Sequence, residues 1–568
     1  MKIIKNWILI AVLVVAALVR LWNLGINPPH LTPDEASLGY NAYSILKTGK
    51  DEFGKTLPIV FKSFGDFKPG FYVYLTVPSV AVFGLTEFAT RFPSAFAGVL
   101  SVLLIFLIIK ELFPERKYLP ILGAFVSALN PWLVFFSRGA WEVNLSLTLT
   151  LIGIFLFLKS LKKPKFIIYS AVPFALTLLT YQGAKISTGI VLVILTFIFW
   201  KEILNYNKKH LIKAFVVGFI ISIPIFMSFV NGETGRLNIF SVFSYPRSTE
   251  YIQAMLDEGG EKIGDIKYFL FHPESLNFLR GIMGRWFNHF SGRFLFFEGD
   301  WANPRHSSPN QGVLLFSDLI LLIIGVASIV RNGTKKQNQF VWLWLVLAPL
   351  ASALSRDQVH AVRSLGMAIP LIIIIAFGMV SVISFLQRQK VLLIKILTLL
   401  SFGFVYVFSL AYYLDSYFVH LPSHNSNLWE YGYKQMVEVI KPIQNNYKAI
   451  NVQQSFAQPY IFFLFYGGDA SYGGEKQGQG YDPDKYQKSA VWVSSENKGD
   501  VGYVVKLDNI CFCAIDWSIN RGDHGTLFVA DPLRIPPGDS NDPTQFNIIS
   551  EMKYLNGRDT AFRILEVK

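Results

Sequence analysis

Only two cysteines occur in the 568 residues, Cys511 and Cys513, with a single residue between them. That is neither the spread-out even set of a disulfide framework nor the spacing of a zinc site, so neither is expected. Charge is scarce as well: Asp, Glu, Lys and Arg make up 16% of the chain, against about 25% in a soluble globular protein. Acids are the scarcer sign, 39 against 52 Lys and Arg, which leaves a formal net charge of +13. The chain also lacks a glycine-rich nucleotide-binding loop, an internal repeat and any low-complexity tract. What fills the space is apolar: 52% hydrophobic residues, 50 of them phenylalanine, with a mean hydropathy of +0.39. This is the composition of a polytopic membrane protein, in which a basic excess belongs to cytoplasmic loops and signals no nucleic-acid partner.

The first 25 residues carry Lys2 and Lys5 and then run uncharged from Trp7 to Val19. With many apolar segments following, this reads as a retained first helix, cytoplasmic end first, rather than a cleaved signal. Segments of spanning length follow at 88–112, 119–136, 145–161, 166–180, 186–200, 211–230, 313–330, 340–354, 366–385 and 396–414. Phe71–Phe83 is apolar but short, and whether it crosses sets the side of every later loop. If it stays on the surface as a juxtamembrane or re-entrant helix, Lys110/Arg116/Lys117, Lys159/Lys162/Lys163/Lys165, Lys201/Lys208/Lys209/Lys213, Arg331/Lys335/Lys336 and Arg388/Lys390 all fall in the cytoplasm. The expectation is therefore eleven spans, N-terminus inside and C-terminus outside, in the cytoplasmic (inner) membrane.

On that topology residues 25–87 form a long first external loop. Thr32 has the place of a helix N-cap, Pro33 the first helical position, and Glu35 the third, the spacing of a reciprocal capping box. Asp34 falls in the first turn, where exposed backbone N–H groups and the positive helix end favour an ionised carboxylate able to accept a proton. The helix should stop at Thr48-Gly49 and lie along the membrane face with one apolar side.

The same external face collects other polar groups. Asp66 and Lys68 stand in F-G-D-F-K-P-G, Arg91 at the mouth of the second span, and Arg138 and Glu142 between the third and fourth. Tyr181, Gln182 and Lys185 cap the fifth, and Arg356, Asp357, His360 and Arg363 lie between the ninth and tenth. The loop 231–311 adds Arg293, Asp300 and His306 among aromatics, either as a cover for the site or a sugar-stacking surface or as an interfacial aromatic belt with solvated charges, in which His306 is structural. Charges at membrane depth are expensive, so their convergence on one face points to function. An ionised carboxylate with several cations at an external interface suits glycosyl transfer from a lipid-phosphate sugar. The carboxylate takes the proton of the attacking hydroxyl or amine, and Lys or Arg neutralises the departing phosphate. Lys68, Arg138, Arg356, His360 and Arg363 are the expected phosphate contacts. Asp66, Tyr181, Arg293, Asp300 and His306 are assigned to the acceptor side or the cover.

Three runs, R-L-W-N-L-G-I-N-P-P-H-L-T-P-D-E-A from Arg20 to Ala36, F-G-D-F-K-P-G, and F-G-L-T-E-F-A-T-R-F-P-S-A-F-A-G, resemble the GT-C glycosyltransferases of family 39. That family includes protein O-mannosyltransferases and lipid A aminoarabinose transferases. The resemblance covers roughly 20–230 well and the rest weakly. It implies a shared module of seven helices, juxtamembrane helices in the first external loop, and a polyprenyl-phosphate sugar donor. By matching motif, Asp34 resembles the catalytic base, with Glu35 beside it, Arg91 the arginine that steadies the pair, Glu142 the second external acid, and Lys68 a donor-phosphate contact. Glu142 stands where the family commonly has Asp, and Gly70 follows Lys68-Pro69 where many members have a second proline. No metal ligand is assigned and no cofactor is expected beyond the sugar donor; the other partners are membrane lipids and an acceptor on a protein, lipid or glycan.

From residue 415 the composition turns polar. A helix at 428–443 and strands at 449–454, 490–494, 502–507, 525–530 and 562–567 indicate a small external α/β domain over 415–568, following a transmembrane domain over 1–414. Trp429-Glu430-Tyr431-Gly432 superficially resembles an oligosaccharyltransferase motif and is read as a helix entry. Two other classes stay open: an oligosaccharyltransferase moving a whole glycan to Asn, and a transporter or flippase. A transporter predicts repeat-related halves with broken helices at the bilayer midplane, whereas here the polar groups concentrate in external loops.

Overall fold

Every one of the eleven predicted segments is helical in the computed structural model, which describes residues 2–64, 66–231, 241–331, 333, 335–455, 457–468, 479–492 and 504–568. In chain order the first ten helices are α1 (Lys2–Leu21), α2 (Pro33–Thr48), α3 (Phe71–Phe83), α4 (Glu87–Leu112), α5 (Leu119–Leu129), α6 (Pro131–Ser137), α7 (Glu142–Ser160), α8 (Phe166–Leu178), α9 (Ala184–Leu204) and α10 (Lys208–Val230). After three short helices between 249 and 288 come α11 (Phe316–Arg331), α12 (Lys336–Leu347), α13 (Ala368–Arg388) and α14 (Leu392–Asp415). Among the described residues six helices are long and apolar enough to cross a membrane, or seven if α5 and α6 count as one span. The predicted span 119–136 is thus a pair bent by 56°. The break falls at Asn130-Pro131: the Pro131 ring cannot continue the preceding helix, and the Asn130 side chain instead accepts from Leu133 N–H to start the next. The 13 residues of α3 rise only about 20 Å, short of a hydrocarbon core of about 30 Å.

Small residues let the bundle close. α11 and α13 meet at Gly325 and Gly378, where a Cβ on either glycine would collide with a carbonyl oxygen of the other helix, Ile374 O or Leu321 O. α4 packs on α5 and α7, and α8 on α7 and α10. Away from α2, the helix ends are tied by lysines: Glu111 of α4 accepts from Lys159 (2.6 Å) and Lys162 (2.8 Å), and Glu202 of α9 from Lys336 (2.5 Å). These are the basic clusters predicted to share one side.

The polar region is a seven-stranded mixed sheet with helices α15 (Tyr433–Ile443), α16 (Tyr460–Tyr466) and α17 (Pro483–Ser489). A separate two-stranded ribbon in the first loop pairs β1 (Val60–Ser63) with β2 (Asp66–Pro69). The larger sheet comprises β3 (Ala449–Gln453), β4 (Val491–Trp492), β5 (Val504–Leu507), β6 (Ile510–Cys513), β7 (Thr526–Ala530), β8 (Phe546–Lys553) and β9 (Thr560–Val567), in the order β4-β5-β6-β3-β7-β9-β8. β3 runs parallel to β6 and β7; the remaining neighbours are antiparallel. β6 and β8 are additions to the predicted set, and 493–494 and 502–503 of two predicted strands lie outside the described residues. The predicted helix 428–443 begins only at Tyr433, directly after the Trp429–Gly432 turn.

Two expectations are corrected here. Cys511 and Cys513 form a disulfide across Phe512, with Cα atoms 5.4 Å apart; on a strand, residues two apart point to the same face, so close spacing in sequence does not prevent pairing. α2 does not have only one apolar side buried. Its residues from Glu35 to Ile45 are all buried, because α3 and α4 cover it from one direction and α16 from the other. Tyr40 Oη of α2 donates to Tyr481 O at 3.0 Å, and Gly39 meets Thr90 of α4 and Phe465 of α16.

Candidate active site

The start of α2 is built as its sequence predicts. Thr32 Oγ1 accepts from Glu35 N–H (3.3 Å), and Glu35 Oε2 accepts from Thr32 N–H (3.0 Å). At the far end Gly49, with φ +71°, donates its N–H to Ile45 O. The capping box fixes the direction of both acids. Glu35 points inward, where Arg91 Nε donates to its Oε1 (2.9 Å), Arg91 Nη2 to its Oε2 (3.2 Å), and Ala140 N–H to its Oε1 (2.8 Å). Arg91 donates further to Leu24 O (3.2 Å), Pro28 O (2.9 Å) and His30 O (2.6 Å), so all five of its N–H bonds have acceptors. The Trp429 ring covers its guanidinium at 6.0 Å. Arg91 therefore steadies Glu35 and the loop 24–30, and both side chains are closed off from solvent.

Asp34 points the other way. Its carboxylate is 48% exposed and ion-paired with Lys68 Nζ of β2, whose side chain is only 10% exposed. The two line a cavity of about 600 Å³ together with Trp141, Glu142, Tyr181, Gln182, Lys185, Arg305, His306, His360 and Arg363. The cavity thus holds two carboxylates, four Lys or Arg side chains and two imidazoles, from six separate stretches of chain. Lys68 is brought there because Gly70 N–H, at the end of the ribbon, is fixed on Ile59 O (2.9 Å), and Gln182 Nε2 donates to Phe67 O (2.5 Å). Arg363 donates to Ser355 Oγ and to Asp357 Oδ2, each at 2.7 Å.

His306 and His360 stand side by side on one wall, ring centroids 5.0 Å apart. Burial lowers the pKa of both below the usual imidazole value. Behind them Asp300 is fully buried: its Oδ1 accepts from Asn303 N–H (3.0 Å), and its Oδ2 from Ala361 N–H (2.7 Å) and pairs with His306 Nδ1 (3.0 Å).

The expected site residues therefore divide. Asp34, Glu142, Lys68, Tyr181, His306, His360 and Arg363 converge on one cavity, with Asp300 directly behind. Glu35 and Arg91 are buried beneath it and do not open to it. Arg138, expected at a phosphate, is also buried: it donates to Val19 O (2.7 Å), Trp22 O (2.7 Å) and Asn27 O (2.9 Å), pinning the loop that follows α1. The rings of Tyr417 and Phe418 lie 5.3 and 4.8 Å from its guanidinium. Arg356 is exposed beside Tyr245 and Arg293 pairs with Glu298, neither on the cavity wall. Asp66 sits in the ribbon opposite Ser63. Arg305 and Asn303 of the wall stood in the aromatic, charged run of the long loop but carried no motif to single them out.

Comparisons with known proteins follow the same lines. Residues 68–227 match a family model described as dolichyl-phosphate-mannose-protein mannosyltransferase. No curated protein sequence matches the chain. Among solved structures, ArnT from Cupriavidus metallidurans bound to undecaprenyl phosphate is similar over 99% of this chain and 98% of its own, with a TM-score of 0.54 and 14% identity. The apo state of the same protein gives a TM-score of 0.50 at 12% identity over the same shares. The Archaeoglobus fulgidus oligosaccharyltransferase tethered to an acceptor peptide with the NVT sequon aligns over 82% of this chain with a TM-score of 0.50 at 14% identity; the chain covers 64% of its length. Together these findings show that the chain shares its fold with ArnT along nearly its whole length, and that residues 68–227 are similar to a mannosyltransferase family.

Proposed function

We propose that this chain moves a single sugar from a polyprenyl-phosphate-linked donor to an acceptor hydroxyl or amine at the outer membrane face, with Asp34 as general base. One observation carries the reading: Asp34 is the half-exposed acid of a cavity otherwise rich in cations, and it is held there by Lys68. As the acceptor oxygen or nitrogen bonds to the anomeric carbon, its proton passes to the Asp34 carboxylate. The bond from that carbon to the donor phosphate oxygen breaks, and the lipid phosphate leaves with its electron pair. Attack opposite the leaving group in one displacement inverts the anomeric centre. Lys68, Arg305 and Arg363 supply the positive charge toward which the phosphate's growing charge is directed. A donor phosphate competes with Asp34 for Lys68, so donor binding frees the carboxylate for the acceptor proton.

The ArnT structure with undecaprenyl phosphate, which matches along nearly the whole length of both chains, supports a lipid-phosphate donor more than the partial match to an oligosaccharyltransferase does. The lysine-tied helix ends opposite the cavity support an external site in a multi-pass inner-membrane protein. The test is transfer of labelled sugar from a polyprenyl-phosphate donor by purified protein in detergent. Asp34→Asn keeps the shape and loses the base, so turnover should fall at least ~100-fold; turnover equal to that of the wild type refutes the assignment.

A further inference from the structure

His306 and His360 of the cavity wall and Asp300 behind them each offer one donor atom, and these atoms all lie within 4.8 Å of one another. We propose that they form a binding site for one divalent transition-metal ion of the zinc class. A tetrahedral ion with bonds of about 2.0–2.1 Å sets its ligand atoms about 3.3 Å apart. His306 Nδ1 and Asp300 Oδ2 are already 3.0 Å apart. The remaining ligand atoms are no more than 4.8 Å apart, so no pair is more than about 1.5 Å wider than that geometry.

The second observation is an orphan. His360 Nδ1 is buried with no hydrogen-bond partner among the described residues. A buried polar nitrogen without a partner costs about 1–3 kcal/mol, and a metal bond would satisfy it. The backbone around it is held firmly: His360 N–H donates to His289 Nε2 (3.3 Å) and Ala361 N–H to Asp300 Oδ2 (2.7 Å). His289 Nδ1 in turn lies 2.8 Å from Arg285 O. Such outer contacts orient ligands in metal sites generally.

Two imidazoles and a carboxylate favour zinc or cobalt over magnesium or calcium, which prefer all-oxygen shells. Three protein ligands leave a fourth position, and His306 and His360 both line the cavity. That position therefore has access to a water or a substrate oxygen. Two cations, Arg305 and Arg363, act on these imidazoles, and Arg363 also donates to Asp357 and Ser355. The ligands lie six and 54 residues apart along the chain, with no short metal motif, so sequence reading assigns them no such role.

The experiment uses the purified full chain in detergent, stripped with chelator and titrated with Co²⁺. The expected result is one Co²⁺ per chain with the strong visible absorption of a tetrahedral site, displaced by Zn²⁺, and at least tenfold weaker binding in the His306→Asn/His360→Asn double variant. Absence of that absorption in the wild type, or undiminished binding in the double variant, overturns the proposal. X-ray absorption of the wild-type Co²⁺ complex, where two imidazole ligands are expected and none would refute the site, keeps the test decisive if the double variant does not fold. None of these readouts uses sugar transfer, so their failure leaves the transferase reading standing.

Discussion

Adjacent acids in one helical turn have opposite fates because the capping box turns Glu35 inward. Its two oxygens accept from Thr32, Arg91 and Ala140, while Asp34, one residue earlier, faces the cavity with Lys68. A third acid of this loop, Glu52, carries a testable pH dependence. It is fully buried, with Oε1 accepting from Asn41 Nδ2 (3.2 Å) and Oε2 without a partner among the described residues. Burial pushes its pKa up from 4.5 to about 8, opposed by the Asn41 hydrogen bond and reinforced by Asp51. The folded protein thus holds a proton that the unfolded chain releases above pH 4.5. The stability contributed by the neutral form is complete below pH 4.5 and is lost as pH rises through about 8. Glu52→Gln should therefore match the wild type in thermal unfolding below pH 4.5 and exceed it by several degrees above pH 8. Parallel melting curves at both pH values would contradict this.

At the level of elements, α2 is the junction. Gly39 lies at the point where α2, α4 and α16 meet, and a Cβ there would contact Thr90 Oγ1 at 2.5 Å and the Phe465 ring at 2.6 Å. Gly39→Leu should cost about 1–3 kcal/mol by overpacking, read as a lowered melting temperature with loss of transfer activity; unchanged melting would show that the junction yields easily. The beginning and end of α2 were legible in sequence, since Thr32, Pro33, Glu35 and Gly49 act within a turn of chain. Its surroundings were not. Ala36, Leu38, Ala42, Ile45 and Leu46 read as one apolar side, and only the fold reveals that α16, more than 400 residues later, packs on this helix as well. Likewise Asp34, Lys68 and Glu142 could be proposed for one site from motif and topology. Arg138 and Arg356 could not be distinguished from true cavity cations, because a buried clamp, an exposed arginine and an anion ligand share the same local composition. The bend at Asn130-Pro131 was readable from the proline in hindsight, but an apolar run of spanning length outweighs one residue when hydropathy alone is weighed.

On the scale of the whole molecule, the sheet region belongs to the architecture of the site. Lys434 Nζ of α15 reaches Glu87 of α4 (2.9 Å), and Lys434 N–H donates to His30 Nε2 (3.1 Å) in the loop between α1 and α2. Tyr433 stacks on Phe462, and Trp429 lies over Arg91. A chain ending after residue 426 loses all these contacts and uncovers the Tyr40 face of α2. We expect it to insert in the membrane, to be cut by added protease within residues 33–48, where the full chain resists, and to have no transfer activity. Resistance equal to that of the full chain would show that α2 is held by the membrane helices alone. Tyr40 and its partner Tyr481 are 441 residues apart, which at ~5–20 residues per second of synthesis is a delay of roughly 20–90 seconds. During that interval a ribosome-bound chain shows an uncovered apolar surface on α2, so chaperones have their opportunity early in the life of this protein, before its sheet exists.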